Sequence, residues 1–311
     1  MRAVDKALTG LAIASLAGLA AAVATNSTKL WLALTSLGSE SAYVVLSIAV
    51  MIFVDADAGV ASALTVLASG AINVWLKNLF ALPRPPKTLW RAPAEGYGFP
   101  SGHTQVSSSF WTLLTARFRR ASLAFLSASV VLCIAASRVA LNVHYPRDVI
   151  GGAAIGFGVG LALWAALLGP GRHATIGSGL KRAPAALYAI SIATFIAGVA
   201  EGYAYGFSTS YKIGGLALSI LIYPSLAWMI RVVNGAPLSV RAEAFIATTA
   251  VTLALTGAAD YVAKTVGAWA YTPMYFIVGL ALFSVAAATP AAILKRLERS
   301  TKTTPHTKTS K

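Results

Sequence analysis

Apolar residues in this chain fall into ten blocks, over about 7–24, 41–54, 58–80, 103–116, 121–141, 149–168, 184–200, 213–230, 244–263 and 273–294, with short polar breaks between them. Most approach the roughly 20 residues that a helix needs to cross the hydrocarbon of a bilayer. The second block is short and is expected to extend back toward Ser36. Trp31 to Leu37 before it reads as an interfacial turn, with Trp31 at headgroup depth. The first block follows Arg2, Asp5 and Lys6, and its length favours a retained helix over a cleaved leader. Gly152, Gly156 and Gly160 recur every four residues in the sixth block, a spacing that lets helix backbones approach closely. Beyond Leu297 the chain turns to Thr and Lys, and disorder near anionic headgroups is expected there. The pattern predicts an all-α integral membrane protein.

Composition agrees. The 311 residues are 57% hydrophobic and 11% charged, where a soluble domain carries nearer a quarter charged. A net charge of +15 raises the question of nucleic acid. The charges lie between hydrophobic blocks and not along one face, so membrane topology accounts for them better. With ten helices and the N-terminus inside, inner segments would carry Arg2, Lys6, Arg117, Arg119, Arg120, Arg172, Lys181, Arg182, Arg231, Arg241 and the tail from Lys295 to Lys311. That is sixteen of the 25 Lys and Arg, in keeping with the positive-inside rule. Both termini are then cytoplasmic, and the loops 81–102 and 142–148 share the outer face of the cell membrane. Cys133 is the single cysteine, so no disulfide forms within the chain, and its place in an apolar block suggests a buried, inert thiol.

The candidate chemistry sits in those two loops and the block ends beside them. Lys77 and Arg84-Pro85 frame one segment, Pro100-Ser101-Gly102-His103 form a second, and Ser137-Arg138, His144 and Asp148 a third. Any one has an ordinary explanation: a cation ending an apolar run snorkels, and Ser before a helix is a cap. Together they place three cations, two imidazoles and a carboxylate beside membrane-length runs, where such groups are costly and usually functional. Lys77, Arg84 and Arg138 suit the oxygens of a phosphoryl group, Arg as a fork and Lys as a point charge. Ser101 and Gly102 open a helix whose first amides would face an anion. Pro146 suits the first turn of the next helix and turns Asp148 back toward His144. A carboxylate on one ring nitrogen leaves the other free to attack.

In order and spacing these segments resemble the type-2 phosphatidic acid phosphatase (PAP2) superfamily, whose pattern K-x6-R-P, P-S-G-H and S-R-x5-H-x3-D is filled at every fixed position. The likeness covers roughly residues 28–170. It implies a six-helix bundle, to which the chain adds about four C-terminal transmembrane helices. The expected units are an N-terminal helix over 1–27, a catalytic core over 28–170, a basic inner loop over 171–183, an extension over 184–294 and a tail over 295–311. The resemblance further implies that His144 is a nucleophile forming a phosphohistidine, and that His103 protonates the leaving oxygen. Lys77, Arg84, Ser101, Gly102 and Arg138 would bind the phosphate, with no metal or other cofactor. Two His and an Asp could instead hold zinc, but the three cations would repel a divalent ion.

The expected activity is hydrolysis of a lipid phosphomonoester or a polyprenyl diphosphate. Phosphotransfer to an acceptor hydroxyl is a second enzyme reading. A transporter or scaffold with a dead site is a third, against which the unbroken residue set argues. Arg147 stands either over the phosphate site or against headgroups. Glu95-Gly96-Tyr97-Gly98-Phe99 forms a bendable loop whose aromatics would flank an acyl or prenyl chain.

Overall fold

The computed structural model of the chain describes residues 3–169, 183–205 and 208–302, and the regular structure within them is helical. Helix α1 (Ala3–Thr25) lies against α6 (Ala121–Ala140) with most of its surface outward. Helices α2 (Thr28–Ser36) and α3 (Glu40–Phe53) form a pair bent by 44°. Gly38 sits in the elbow, where a Cβ would press on Ile134 at 3.0 Å and on His103 at 3.2 Å. Residues 31–36 are therefore helical, and Trp31 is buried, not an interfacial anchor in a turn.

Helix α4 (Ala56–Phe80) is the axis of the molecule. Asp55 caps its start by accepting from the Ala58 amide at 2.9 Å, and a left-handed Ala81 (φ 46°) ends it one turn after Lys77. Helices α5 (Gly102–Phe118) and α7 (Pro146–Leu167) meet along the glycine ladder. A Cβ at Gly152 would lie 2.7 Å from the Ser101 carbonyl oxygen, and one at Gly156 would collide with the Gln105 carbonyl. The close approach expected from the four-residue spacing is present.

The extension comprises α8 (Ala183–Tyr205), α9 (Ser208–Ser219), α10 (Tyr223–Asn234), α11 (Leu238–Val266) and α12 (Tyr271–Lys302). The apolar block 213–230 is two helices of 12 residues, not one, because Pro224 lacks the amide that would continue the ladder from α9. Helix α5, at 17 residues and rich in Ser and Thr, is also short of a full span. Among the described residues seven helices are long and apolar enough to cross a membrane, or eight with the bent pair, where the blocks suggested ten. Helix α12 runs to Lys302, five residues past Leu297, so the expected disorder does not begin there. Most of the inner loop and the end of the tail, with His173 and His306, lie outside the described residues.

One apolar core joins the two halves: Tyr43, Leu64 and Phe110 pack in the same cluster as Tyr223, Ile230 and Phe283. Polar contacts reinforce the junction. Asn234 donates to the Met51 and Ile52 carbonyls at 2.9 and 2.8 Å, and its side-chain oxygen accepts from the Ala56 amide at 3.1 Å. These bonds satisfy backbone groups left open where α3 ends and α4 begins.

Candidate active site

The three sequence segments converge at the end of the bundle where α4 stops and α5 and α7 start. Arg84 is the hub. It lies four residues past α4, and its Nη1 donates to His144 Nε2 at 2.8 Å and to the Val143 carbonyl at 2.8 Å. Its Nε donates to the Gly96 carbonyl at 3.0 Å and its Nη2 to the Glu95 carbonyl at 2.7 Å. Lys77 Nζ donates to the next carbonyl, that of Tyr97, at 2.7 Å. Three consecutive carbonyl oxygens of one loop thus face two cations, as the oxygens of an oxyanion would.

His144 is held from both sides. Guanidinium can only donate, so Nε2 presents its lone pair to Arg84 and the ring proton lies on Nδ1. Nδ1 faces Asp148 Oδ2 at 3.4 Å, a long contact one helical turn away. The same carboxylate oxygen accepts from the Tyr145 amide at 2.9 Å, which fixes it at the first turn of α7. Burial lowers the His144 pKa to about 4; the Asp148 hydrogen bond opposes this, and Arg84, Lys77 and Arg138 add to it. The imidazole is neutral at pH 7, with the tautomer that a nucleophilic Nε2 requires. Gly98 closes over this pair, since a Cβ there would lie 3.0 Å from Asp148 Oδ2.

His103, in the first turn of α5, lies within electrostatic reach of Arg138, His144, Lys77 and Arg84. Arg138 is buried in the last turn of α6 and donates from Nη1 to Thr35 Oγ1 at 3.0 Å. Ser101 does not cap α5 with its side chain; its hydroxyl accepts from Thr104 Oγ1 at 3.1 Å, while its amide donates to the Asp148 carbonyl at 2.9 Å. The second segment is therefore tied to the third through backbone. Gly102 leaves room for Asn73, whose Oδ1 would lie 2.9 Å from a Cβ at that position. Arg147 is more than half exposed, stacks on Tyr145 at 5.1 Å and lies 3.6 Å from Asp148 Oδ1. With Pro83 and Pro146 these two line a cavity of about 320 Å³ beside the array. Phe99 packs edge-on against Phe80 at 5.2 Å and against Gly151, so Tyr97 is the exposed aromatic of the loop.

Several contributing groups are not among those singled out in the sequence. Asn73, buried on α4 one turn before Lys77, donates to the Pro100 carbonyl at 3.1 Å and to Gln105 Oε1 at 2.9 Å. An amide inside an apolar block is a signal that could have found it. Thr35 carries no such signal, and neither do the carbonyls of Glu95, Gly96, Tyr97 and Val143.

Chemically, the arrangement offers a neutral, oriented imidazole, a second imidazole, and three cations from separate segments. Such a site stabilises charge on a transferring phosphoryl group. Comparison with known proteins points the same way. Residues 58–170 match the family described as the PAP2 superfamily, and that segment contains all three motifs. Over 101 residues, 30% of this chain, the sequence is 33% identical to the lipid A 1-phosphatase of Rhizobium johnstonii. The match covers 41% of that protein, so the chain spans about two-fifths of the length of the curated relative it matches. No solved structure matches the chain.

Proposed function

We propose that this chain, whose residues 58–170 match the PAP2 superfamily, is a membrane phosphatase that hydrolyses a lipid phosphomonoester or a polyprenyl diphosphate through a phosphohistidine on His144. The observation that carries the reading is the Arg84–His144–Asp148 array, with Arg84 Nη1 at 2.8 Å from His144 Nε2 and Asp148 Oδ2 at 3.4 Å from Nδ1. Substrate oxygens replace the loop carbonyls on Arg84 and Lys77, and Arg138 completes the set of cations. His144 Nε2 attacks phosphorus as the bond to the leaving oxygen breaks, and His103 gives that oxygen a proton. Asp148 supports the imidazolium charge that develops. Water then attacks the phosphohistidine, His103 takes its proton, phosphate leaves and His144 is restored. The relative named for lipid A supports a lipid substrate, as do the membrane-length helices around the site.

The site is proposed to face outward with both termini cytoplasmic. Arg117, Arg231 and Arg241 lie where α3 ends and α4 begins, with Lys77 and Arg84 at the far end of α4, and the positive-inside rule supports the first end as the inner one. In intact cells of a Cys133→Ala protein, a cysteine placed at Tyr97 should react with an impermeant thiol reagent; labelling only after lysis would reverse the orientation.

The activity is tested on purified full-length protein by phosphate release from phosphatidate, polyprenyl diphosphate, phosphatidylglycerol phosphate and glucose 6-phosphate, in chelator, with rapid quenching to map the phosphoenzyme. Release from at least one lipid, vanadate inhibition and phosphate on His144 are expected. No release from any of them, or phosphate on another side chain, would overturn the reading.

A further inference from the structure

We propose that the α2–α3 elbow is a working part of the phosphate site, with Thr35 the positioning residue that holds the Arg138 guanidinium in place. The inference rests on the proposed role of Arg138 in binding phosphate. Thr35 and Gly38 both precede the segment 58–170 that matches the PAP2 superfamily.

The Arg138 side chain is buried, and Thr35 Oγ1 at 3.0 Å is its hydrogen-bond acceptor among the described residues; its Nε has none. A long side chain with one anchor depends on that anchor, because an arginine free to change rotamer gives up the preorganisation that makes it useful to a transferring phosphoryl group. Thr suits this role because branching at Cβ restricts χ1, so its oxygen stays where the helix puts it.

Helix α2 is in turn fixed to the catalytic end of the bundle. Arg91, in the loop that also supplies the carbonyls to Arg84 and Lys77, donates to Thr28 Oγ1 at 2.6 Å and to the Asn26 carbonyl at 2.8 Å. The Arg91 amide donates to the Leu141 carbonyl at 2.9 Å, where α6 ends. Trp31 buries its ring in the cluster that holds Leu34, Cys133 and Leu141. Thr35 is thus registered against α6 through two independent contacts, and Gly38 one turn on leaves the space that His103 occupies. The elbow touches two of the proposed site residues, one by hydrogen bond and one by close packing.

The test compares Thr35→Val, which keeps shape and removes the acceptor, with Thr35→Ser, which restores it, and follows vanadate inhibition, kcat, KM and the melting temperature. A hydrogen bond to a charged group is typically worth a factor of roughly ten to a hundred. Thr35→Val should weaken vanadate inhibition and lower kcat/KM per folded molecule by about that factor, and Thr35→Ser should stay within about threefold of the parent. In an Arg138→Gln background Thr35→Val should add nothing. Thr35→Ala serves the same comparison if the valine variant does not fold. Equal loss in the valine and serine variants, parental vanadate inhibition in Thr35→Val, or full additivity with Arg138→Gln would overturn the inference. If Arg138→Gln itself leaves catalysis whole, the proposed role of Arg138 falls, and this inference with it. If Arg138→Gln is inactive while Thr35→Val matches the parent, only the inference falls.

Discussion

At the end of the bundle where α4 begins, Asp55 meets Arg117 at 2.7 Å, and Asp57 meets Arg231 at 2.8 Å and the Tyr223 hydroxyl at 2.7 Å. At the other end, about 30 Å along the helix, Lys77, Arg84 and Arg138 gather with Asp148 as the carboxylate among them. Both ends hold charge in a largely apolar protein. In the first, each carboxylate has its own guanidinium, and Asp57 draws its partners from the extension. In the second, cations outnumber carboxylates, and backbone carbonyls and an imidazole fill the guanidinium of Arg84. Charge that is matched within the chain holds helices together; charge left in excess marks a place for an anion. The same residue types serve both purposes; at the first end Asp55 and Asp57 each hold a guanidinium while Arg241 donates to the Phe53 carbonyl, and at the second three cations and an imidazole gather around one carboxylate.

The largest effect that would break this contrast belongs to the excess-charge end. His103→Ala should lose roughly 10²–10⁴-fold in turnover of natural lipid phosphates, whose leaving oxygen needs a proton. With nitrophenyl phosphate, where that need is small, the first step should persist and acid-labile phosphohistidine should accumulate. Equal loss on both substrates would remove His103 from the proton transfer.

A smaller effect of a different kind belongs to the matched end. Arg231→Leu leaves Asp57 buried with Tyr223 alone and should cost about 3 kcal/mol, the lower end for breaking a buried pair because Arg231 is a third exposed. The readout is thermal unfolding in detergent, with turnover per folded molecule unchanged. A drop in turnover without loss of stability would mean that the two ends do not divide the labour as described. A deletion of the extension, which removes both partners of Asp57 and the Asn234 contacts at once, is expected to destabilise the core for the same reason.

The smallest effect is a displaced acid limb. On the proposed mechanism protonation of Nε2 disables the nucleophile, and with the His144 pKa lowered to about 4 the limb that it sets in kcat/KM should lie well below the 6.5 of an ordinary imidazole, apart from ionisation of the substrate and of His103, whose pKa burial also lowers. In Arg84→Gln one cation near His144 is gone, the pKa should rise, and the limb should move toward neutral pH. A limb near 6.5 in the parent protein would contradict the burial of His144.

These comparisons also show what can be read from the amino acids alone. Lys77, Arg84, His103, Arg138, His144 and Asp148, which the structure gathers at one end of the bundle, are legible because polar groups stand out in apolar blocks. The glycine ladder of α7 is legible through its period. The carbonyls of Glu95, Gly96 and Tyr97 are not, since every residue has one and only the path of the loop aims them. Thr35 is hidden because a threonine in a helix has many uses and its partner lies over a hundred residues away. The break between α9 and α10 escapes notice because average hydropathy across 213–230 does not register Pro224. Helix α5 reads as a full span from its apolar residues, although its Ser and Thr residues serve the contact with α7.

The contact between Arg84 and His144 Nε2 has a consequence for what the protein tolerates around it. An exposed neutral imidazole is open to any electrophile that diffuses past. Here the reactive electron pair is covered by a guanidinium, and uncovering it requires something that the guanidinium prefers to a ring nitrogen. An oxyanion meets that condition; a neutral acylating or alkylating compound does not. On the proposed mechanism the nucleophile rests with a safety catch engaged, and the substrate's own charge would release it.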